Sequence, residues 1–468
     1  MKYFKLIFNK KYYERFHGGF LLPEIMISFS LMTVFLISAI ILSSTMQGLR
    51  RQAVEHLERL DDTTFLADYF LLNKVFASSS ISYMKKQYGN DTYEIDIEPV
   101  TLLISDYINA FGRDSCSPSL FSSSSTPSDF QDISLYSQGV DIGAGNMSTD
   151  IEVRNGIAYI TADSSSSSAS DFFIIDSTDP SSPSIISSLN TGPGLSSIEI
   201  AGHYAYVTNI SSLNQLQIIN IKDRTSPSIT AILKLPLPPD FSPASSTPPF
   251  ASSIFYNKGL IYLGTSKWDG MEFSIIDVSI PSSPQYLGGF ETNTLINNIY
   301  VRDGLAYLAT SDINQIRILD IHNISSHDSP SDNSQSIIQV SSFSPSGYET
   351  QQGKVISFFE NKFSLGRTTG GFNNKNNYEI FLFSSTSPIT VENSKDIPGG
   401  VYGIVMRPPY FYISTRASTK QFQILNKDMS ELVLEKNLGF SPQAMTCDGK
   451  TFYFATGDQK GIAVVKIE

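Results

Sequence analysis

Glu24 is the carboxylate whose setting most invites chemistry. It follows Gly18-Gly19-Phe20-Leu21-Leu22-Pro23 and heads a run, residues 25–44, that carries no charge. A carboxylate at the start of a membrane-length segment is costly and usually marks function, with a cation as its natural partner. Other reactive residue types are sparse. Of the five histidines, His17 precedes the uncharged run, His56 falls on the helical stretch after it and His203 in a hairpin turn, while His322 and His327 share a loop but lack cysteine or carboxylate partners at metal-ligand spacing. The stretch His56-Leu57-Glu58-Arg59-Leu60 lacks the second histidine of a zinc-protease motif. No serine stands in a nucleophile elbow, no glycine-rich phosphate loop follows a strand, and no calcium loop of alternating aspartates is visible. The expectation is no catalytic residue, no metal and no cofactor. A carboxylate pair assembled across repeats would escape this reading.

Two cysteines and two aromatics complete the candidates. Cys116 and Cys447 leave two readings open, one disulfide sustained by an oxidising exterior or two free thiols. Trp268 is the only tryptophan, in the loop Lys267-Trp268-Asp269-Gly270. Its two readings are a ligand contact that stacks on a sugar or anchors a partner, and an indole that packs its own loop. Phe372, in a loop of glycines and asparagines, carries the same pair of readings.

These residues need elements to position them. As a helix, residues 25–44 span about 30 Å, a bilayer core. Ahead lie Lys2, Lys5, Lys10, Lys11 and Arg15 against Glu14 alone, a bias that keeps the N-terminus cytoplasmic and sends the bulk across. A secretory signal would be cut after the apolar run, where Ser43-Ser44-Thr45-Met46 offers only a weak site. Leu49, Ala53, Leu57 and Leu60 continue a helical stripe. Residues 61–115 are too short for a large domain, and 116–132 form a serine- and proline-rich tether.

The basic leader, Gly19-Phe20 and Glu24 resemble the processing signal of type IV pilins and pseudopilins. That resemblance implies cleavage by a prepilin peptidase between Gly19 and Phe20, N-methylation of Phe20, and assembly in which Glu24 pairs with the N-terminal amine of a neighbouring pilin or pseudopilin. It makes residues 1–19 a leader, 20–60 a pilin-like helix inserted in the membrane through 25–44, and 61–115 a reduced head. It also places the chain first in the cell membrane, with a cytoplasmic N-terminus, and then on a filament or the cell surface. An uncleaved single-pass anchor is the rival reading.

Beyond the tether a strand–turn–strand unit recurs. Ile151 to Ile160 reads IEVRNGIAYI and Ile198 to Val207 reads IEIAGHYAYV; further copies centre on Gly259, Gly304, Lys362, Tyr410 and Gly449, seven in all. An apolar strand ending in Asp or Asn often follows, then a turn such as Asp179-Pro180-Ser181-Ser182-Pro183, where proline cannot continue a ladder. Residues 133–468 divide into seven units of 48, and four short strands in such a period is the pattern of a propeller blade. The wording resembles the LVIVD propellers, strongly in the first four copies and weakly in the last three. The fold expected is mostly β, a seven-bladed β-propeller over 133–468 preceded by a single N-terminal transmembrane pilin-like α-helix.

The last unit lacks a fourth strand, whereas residues 133–137 look like a fourth strand without its three predecessors. Joining them closes the ring and removes an open edge. In an up-and-down blade the first–second and third–fourth turns share the face that the tether enters. The second–third loops and between-blade connections share the opposite, distal face, where 163–170, 236–252, 265–271 and 366–377 read as long loops. Cys116 and Cys447 both fall towards the tether side. A formal net charge of −12 argues against nucleic-acid binding, which needs a basic footprint. The function expected is a minor or tip pilin-like surface protein whose propeller takes an unknown surface ligand. The alternatives are a pseudopilin of a secretion or DNA-uptake machine and an anchored propeller outside any filament.

Overall fold

The computed structural model describes residues 83–88, 91–96, 133–136 and 139–467, save short gaps at 165–167, 193, 212–213, 239–248, 325–336, 345–350, 360–361, 370–376, 385–388, 408–409 and 450. Among these residues no helix is long and apolar enough to cross a membrane; the run 25–44 and the helical stripe after it lie outside them. Tyr83–Tyr88 pairs antiparallel with Asp91–Asp96 as a separate hairpin.

Seven four-stranded antiparallel sheets make up the remainder, six of them in simple sequence order. Their inner strands are Asn146–Arg154, Leu195–Ala201, Ala251–Asn257, Ile296–Arg302, Gln351–Phe359, Val401–Arg407 and Ala444–Asp448, which define blades 1 to 7. Blade 7 is completed by Ile133–Tyr136, which pairs with the last strand from Ile133↔Ile467 to Tyr136↔Val464. The ring closes as its ends suggested, on one strand from the far end of the domain.

Alternation explains the packing. Each blade is apolar on both faces, and seven core clusters result, one at each blade-to-blade interface. In blade 1, Ile151 and Val153 pack against Tyr453, Ala455 and Val464 of blade 7. The intervening Asp150 and Arg154 reach towards blade 2, hydrogen-bonding Ile198 N and Ile200 O.

Turn chemistry holds the tether face. Asn155-Gly156, Lys258-Gly259 and Asp303-Gly304 all have positive φ, the hairpin turn whose twist suits paired strands. Each turn glycine accepts a backbone bond from the end of the third strand, as Ser177 N to Gly156 O and Val278 N to Gly259 O. Aspartates fix the next turn: Asp179 Oδ1 accepts from Ser181 N and Oγ, and Asp223 Oδ1 from Thr225 N and Oγ1. These bonds hold both carboxyls below the usual range.

Several loop limits and one cysteine placement need correction. Residues 366–369 belong to a strand, Lys362–Thr369, because Gly366 is a packing glycine: a Cβ there would lie 2.6 Å from Val401 Cγ1 of blade 6. Ala251 and Ser252 likewise begin an inner strand, and Asp163 and Ser164 end one by pairing with Met147 and Asn146. Cys447 lies in the inner strand of blade 7, ahead of the turn, buried between blades 6 and 7.

Candidate functional site at the channel mouth

Inner strands line the central channel, and those of blades 1 to 6 share one irregularity near the distal face. The register slips by one residue around Thr149, Ser196, Ser252, Asn297, Lys354 and Tyr402. A bulge re-aims the extra side chain. In blades 1 to 4 it serves the ring. Thr149 Oγ1 donates to Leu195 O at 2.8 Å, Ser196 Oγ to Ala251 O at 2.7 Å, Ser252 Oγ to Ile296 O at 2.7 Å, and Asn297 Nδ2 to Gly353 O at 2.7 Å. Every one of those carbonyls sits on the inner strand of the next blade. The residue paired just beyond the bulge is small, Thr161, Thr208, Gly264 or Ala309, which leaves room for the approach.

Blades 5 and 6 break the rule. Lys354 cannot repeat the short staple; its Nζ lies 5.2 Å from the centroid of the Tyr402 ring, itself the bulged residue of blade 6. The Arg416 guanidinium, from the second–third loop of blade 6, lies 3.7 Å from the same centroid. Arg416 is held there by its own N–H donating to Gly400 O at 2.9 Å, so the loop clamps onto the start of the inner strand. One aromatic face system thus serves two cations, each an attraction of about 0.5–2 kcal/mol. Among the described residues neither cation has an ion-pair partner. Burial, then repulsion from Arg416, pushes the Lys354 ammonium down to about 8, with Asp150 opposing. Blades 1 and 5 are not neighbours, so the Asp150–Lys354 interaction crosses the channel.

The buried carboxylates have structural duties. Asp150 Oδ2 accepts from Ser197 Oγ and Ile198 N of blade 2; burial raises its pKa nonetheless. Asp171 and Glu272 each precede a third strand and capture the connection leaving the fourth: Thr191 N donates to Asp171 Oδ1 at 2.7 Å, and Thr292 N to Glu272 Oε2 at 2.8 Å. Gln215 and Gln421 do the same for Leu235 N and Leu438 N. Burial pushes Asp171 up to about 6 despite its bonds from Thr191.

Of the residues singled out from sequence, Gly19, Phe20, Glu24, Cys116 and Phe372 lie outside the described ones. Trp268 is 7% exposed and packs its own loop, where a Cβ on Gly270 would fall 2.4 Å from the indole. The ring therefore offers little surface to a ligand. Cys447 is disulfide-bonded. His322 packs over Gly304 and bonds Asp320 through Nδ1 at 2.8 Å. Sequence reasoning missed Lys354, Tyr402 and Arg416. The available signal was Ser, Thr or Asn near the start of each inner strand giving way to Lys and Tyr.

The family model for the LVIVD repeat matches residues 145–191, 195–233 and 268–292. These segments are similar to LVIVD repeats. They take in blade 1, blade 2 and the outer half of blade 3, so the cationic blades lie beyond the matched sequence. No curated protein matches the chain. Solved structures that match include the computationally designed Ika8 protein, at 8% identity over 72% of this chain and 100% of that one, with a TM-score of 0.46. A chain of the mitotic checkpoint complex matches at 12% over 74% and 96%, TM-score 0.48, and BamB from Moraxella catarrhalis at 13% over 68% and 84%, TM-score 0.42. At these identities they carry nothing about what this chain binds.

Proposed function

We propose that the chain is a minor or tip pilin-like surface protein that presents the propeller as a binding head, its distal face turned away from the membrane. The observation that carries binding, rather than catalysis, is the pair of cations on the Tyr402 ring at the channel mouth, neither in an ion pair among the described residues, with Asp150 across the channel already committed to Ser197 and Ile198. Support for filament placement comes from Gly19-Phe20, Glu24 and the uncharged run 25–44. A propeller of this bulk does not pack at every subunit of a thin filament, so low copy number or tip placement follows. A disulfide between Cys116 and Cys447 would tie the tether to the closing blade.

Mass spectrometry of the N-terminal peptide from sheared surface filaments tests placement. A peptide beginning with N-methylated Phe20 supports it; uncut chain confined to membranes would leave an anchored propeller. The pseudopilin reading shares the same N-terminal chemistry, and a knockout that stops protein secretion or DNA uptake would favour it.

A further inference from the structure

The ring of bulges is a repeated structural device, and at blade 5 its hydrogen bond to the next blade gives way to a cation–aromatic contact of similar size. Lys354 gives up a hydrogen bond that four other blades make, and Arg416 brings a second positive charge onto the ring that Lys354 already faces. Like charges held together in a partly buried setting repel, and Asp150 acts on Lys354 only from across the channel, without an ion pair. Places where a sequence breaks its own rule and gathers like charges for no greater structural return are where function is expected.

We infer that this mouth binds the carboxylate of a small hydroxylated ligand, with the chemistry of a uronic acid, between Lys354 and Arg416. Three features select that class. Two cations against Asp150 across the channel leave one formal positive charge, which one carboxylate balances and a phosphate dianion overshoots. The chain as a whole is at −12, a field that repels polyanions and tolerates a small monoanion. Around the same rim the hydroxyls of Thr149, Ser196 and Ser252 donate to backbone carbonyls. Thr149 and Ser196 also bond Thr161 Oγ1 and Thr208 Oγ1, which leaves each one acceptor position for a ligand hydroxyl, and the Ser252 oxygen is left to accept as well. The guanidinium supplies a planar fork for the carboxylate, and the ammonium a point charge beside it.

This inference deepens the reading of the propeller as a binding head, yet its test does not depend on filament placement. Titration calorimetry of the full chain in mild detergent and low salt would use sodium galacturonate and sodium glucuronate, against galactose, inorganic phosphate and triglutamate. Saturable binding of a uronate is expected, absent with galactose, and weakened at least tenfold in Arg416→Gln and in Lys354→Met. The unfolding midpoint of each variant shows that the propeller is intact, and Lys354→Arg should retain most of the affinity. No binding of either uronate would overturn the inference, as would equal affinity in both charge-removing variants. Phosphate or triglutamate binding more tightly than the uronates would also overturn it, assigning the mouth to another class of anion. N-methylated Phe20 on filaments beside a failed titration would sink this inference alone.

Discussion

Blades 1 to 4 and blades 5 to 6 are built on one plan and differ at one position. In the first group the bulged residue of the inner strand is Thr149, Ser196, Ser252 or Asn297, and its side chain ties one blade to the next. In the second it is Lys354 or Tyr402, and the hydrogen bond is replaced by two cations gathered on one aromatic ring. The rest of the blade plan persists through both groups, with core clusters at every interface and the same one-residue slip. Repetition here records what the ring needs to stand, and the departure records what the channel mouth does.

The comparison breaks hardest where both groups depend on closure. Deleting residues 133–138 removes the fourth strand of blade 7, with the half-buried Leu135 and Tyr136, and opens the ring. We expect the thermal midpoint to fall by about 10 °C or more, as several kcal/mol would do in a domain of this size; calorimetry reads it.

Asp171 gives the next effect, through pH. Its folded pKa of about 6 lies above the ordinary 3.8. Between these values the folded state keeps a proton that the unfolded chain has lost, so stability falls as pH rises from about 4 to 6 and is level above. The full loss is of order 3 kcal/mol. Asp171→Asn, which still accepts from Thr191, should flatten that stretch of the profile in denaturant titrations; an unaltered slope would place the titration elsewhere.

Packing inside the second group, between blades 5 and 6, comes next. Gly366→Val puts carbon where Val401 and Val355 already stand, at 2.6 and 2.8 Å, and should cost about 2 kcal/mol in urea unfolding. Smaller still is the staple itself. Ser252→Ala removes the donor to Ile296 O and should cost about 1 kcal/mol.

Much of the architecture was legible because it is periodic. Seven hairpins with Gly156, Gly259 and Gly304 at their turns, aspartates such as Asp176 and Asp277 at the ends of third strands, and an orphan strand at 133–136 fixed the blade order and the closure. The loop limits were not legible, because Gly366 looks like a turn residue in sequence and is a packing residue in space. The site was hidden for a different reason. Lys354 and Arg416 are 62 positions apart and meet only because a bulge in one blade and a loop in the next converge on Tyr402. The run of Thr, Ser, Ser and Asn at the bulge positions becomes a signal only once register is known. Trp268, conspicuous as the one tryptophan, was the weaker guide for the same reason, since rarity says nothing about exposure.

The most direct test restores the rule at blade 5. Lys354→Asn places an amide where Asn297 stands in blade 4, within reach of the inner-strand carbonyl of blade 6. If the departure serves a ligand, the thermal midpoint of this variant stays level or rises by about 2 °C, while galacturonate binding weakens at least tenfold. A clear fall in midpoint with binding retained would contradict the account, for Lys354 would then be holding the ring together.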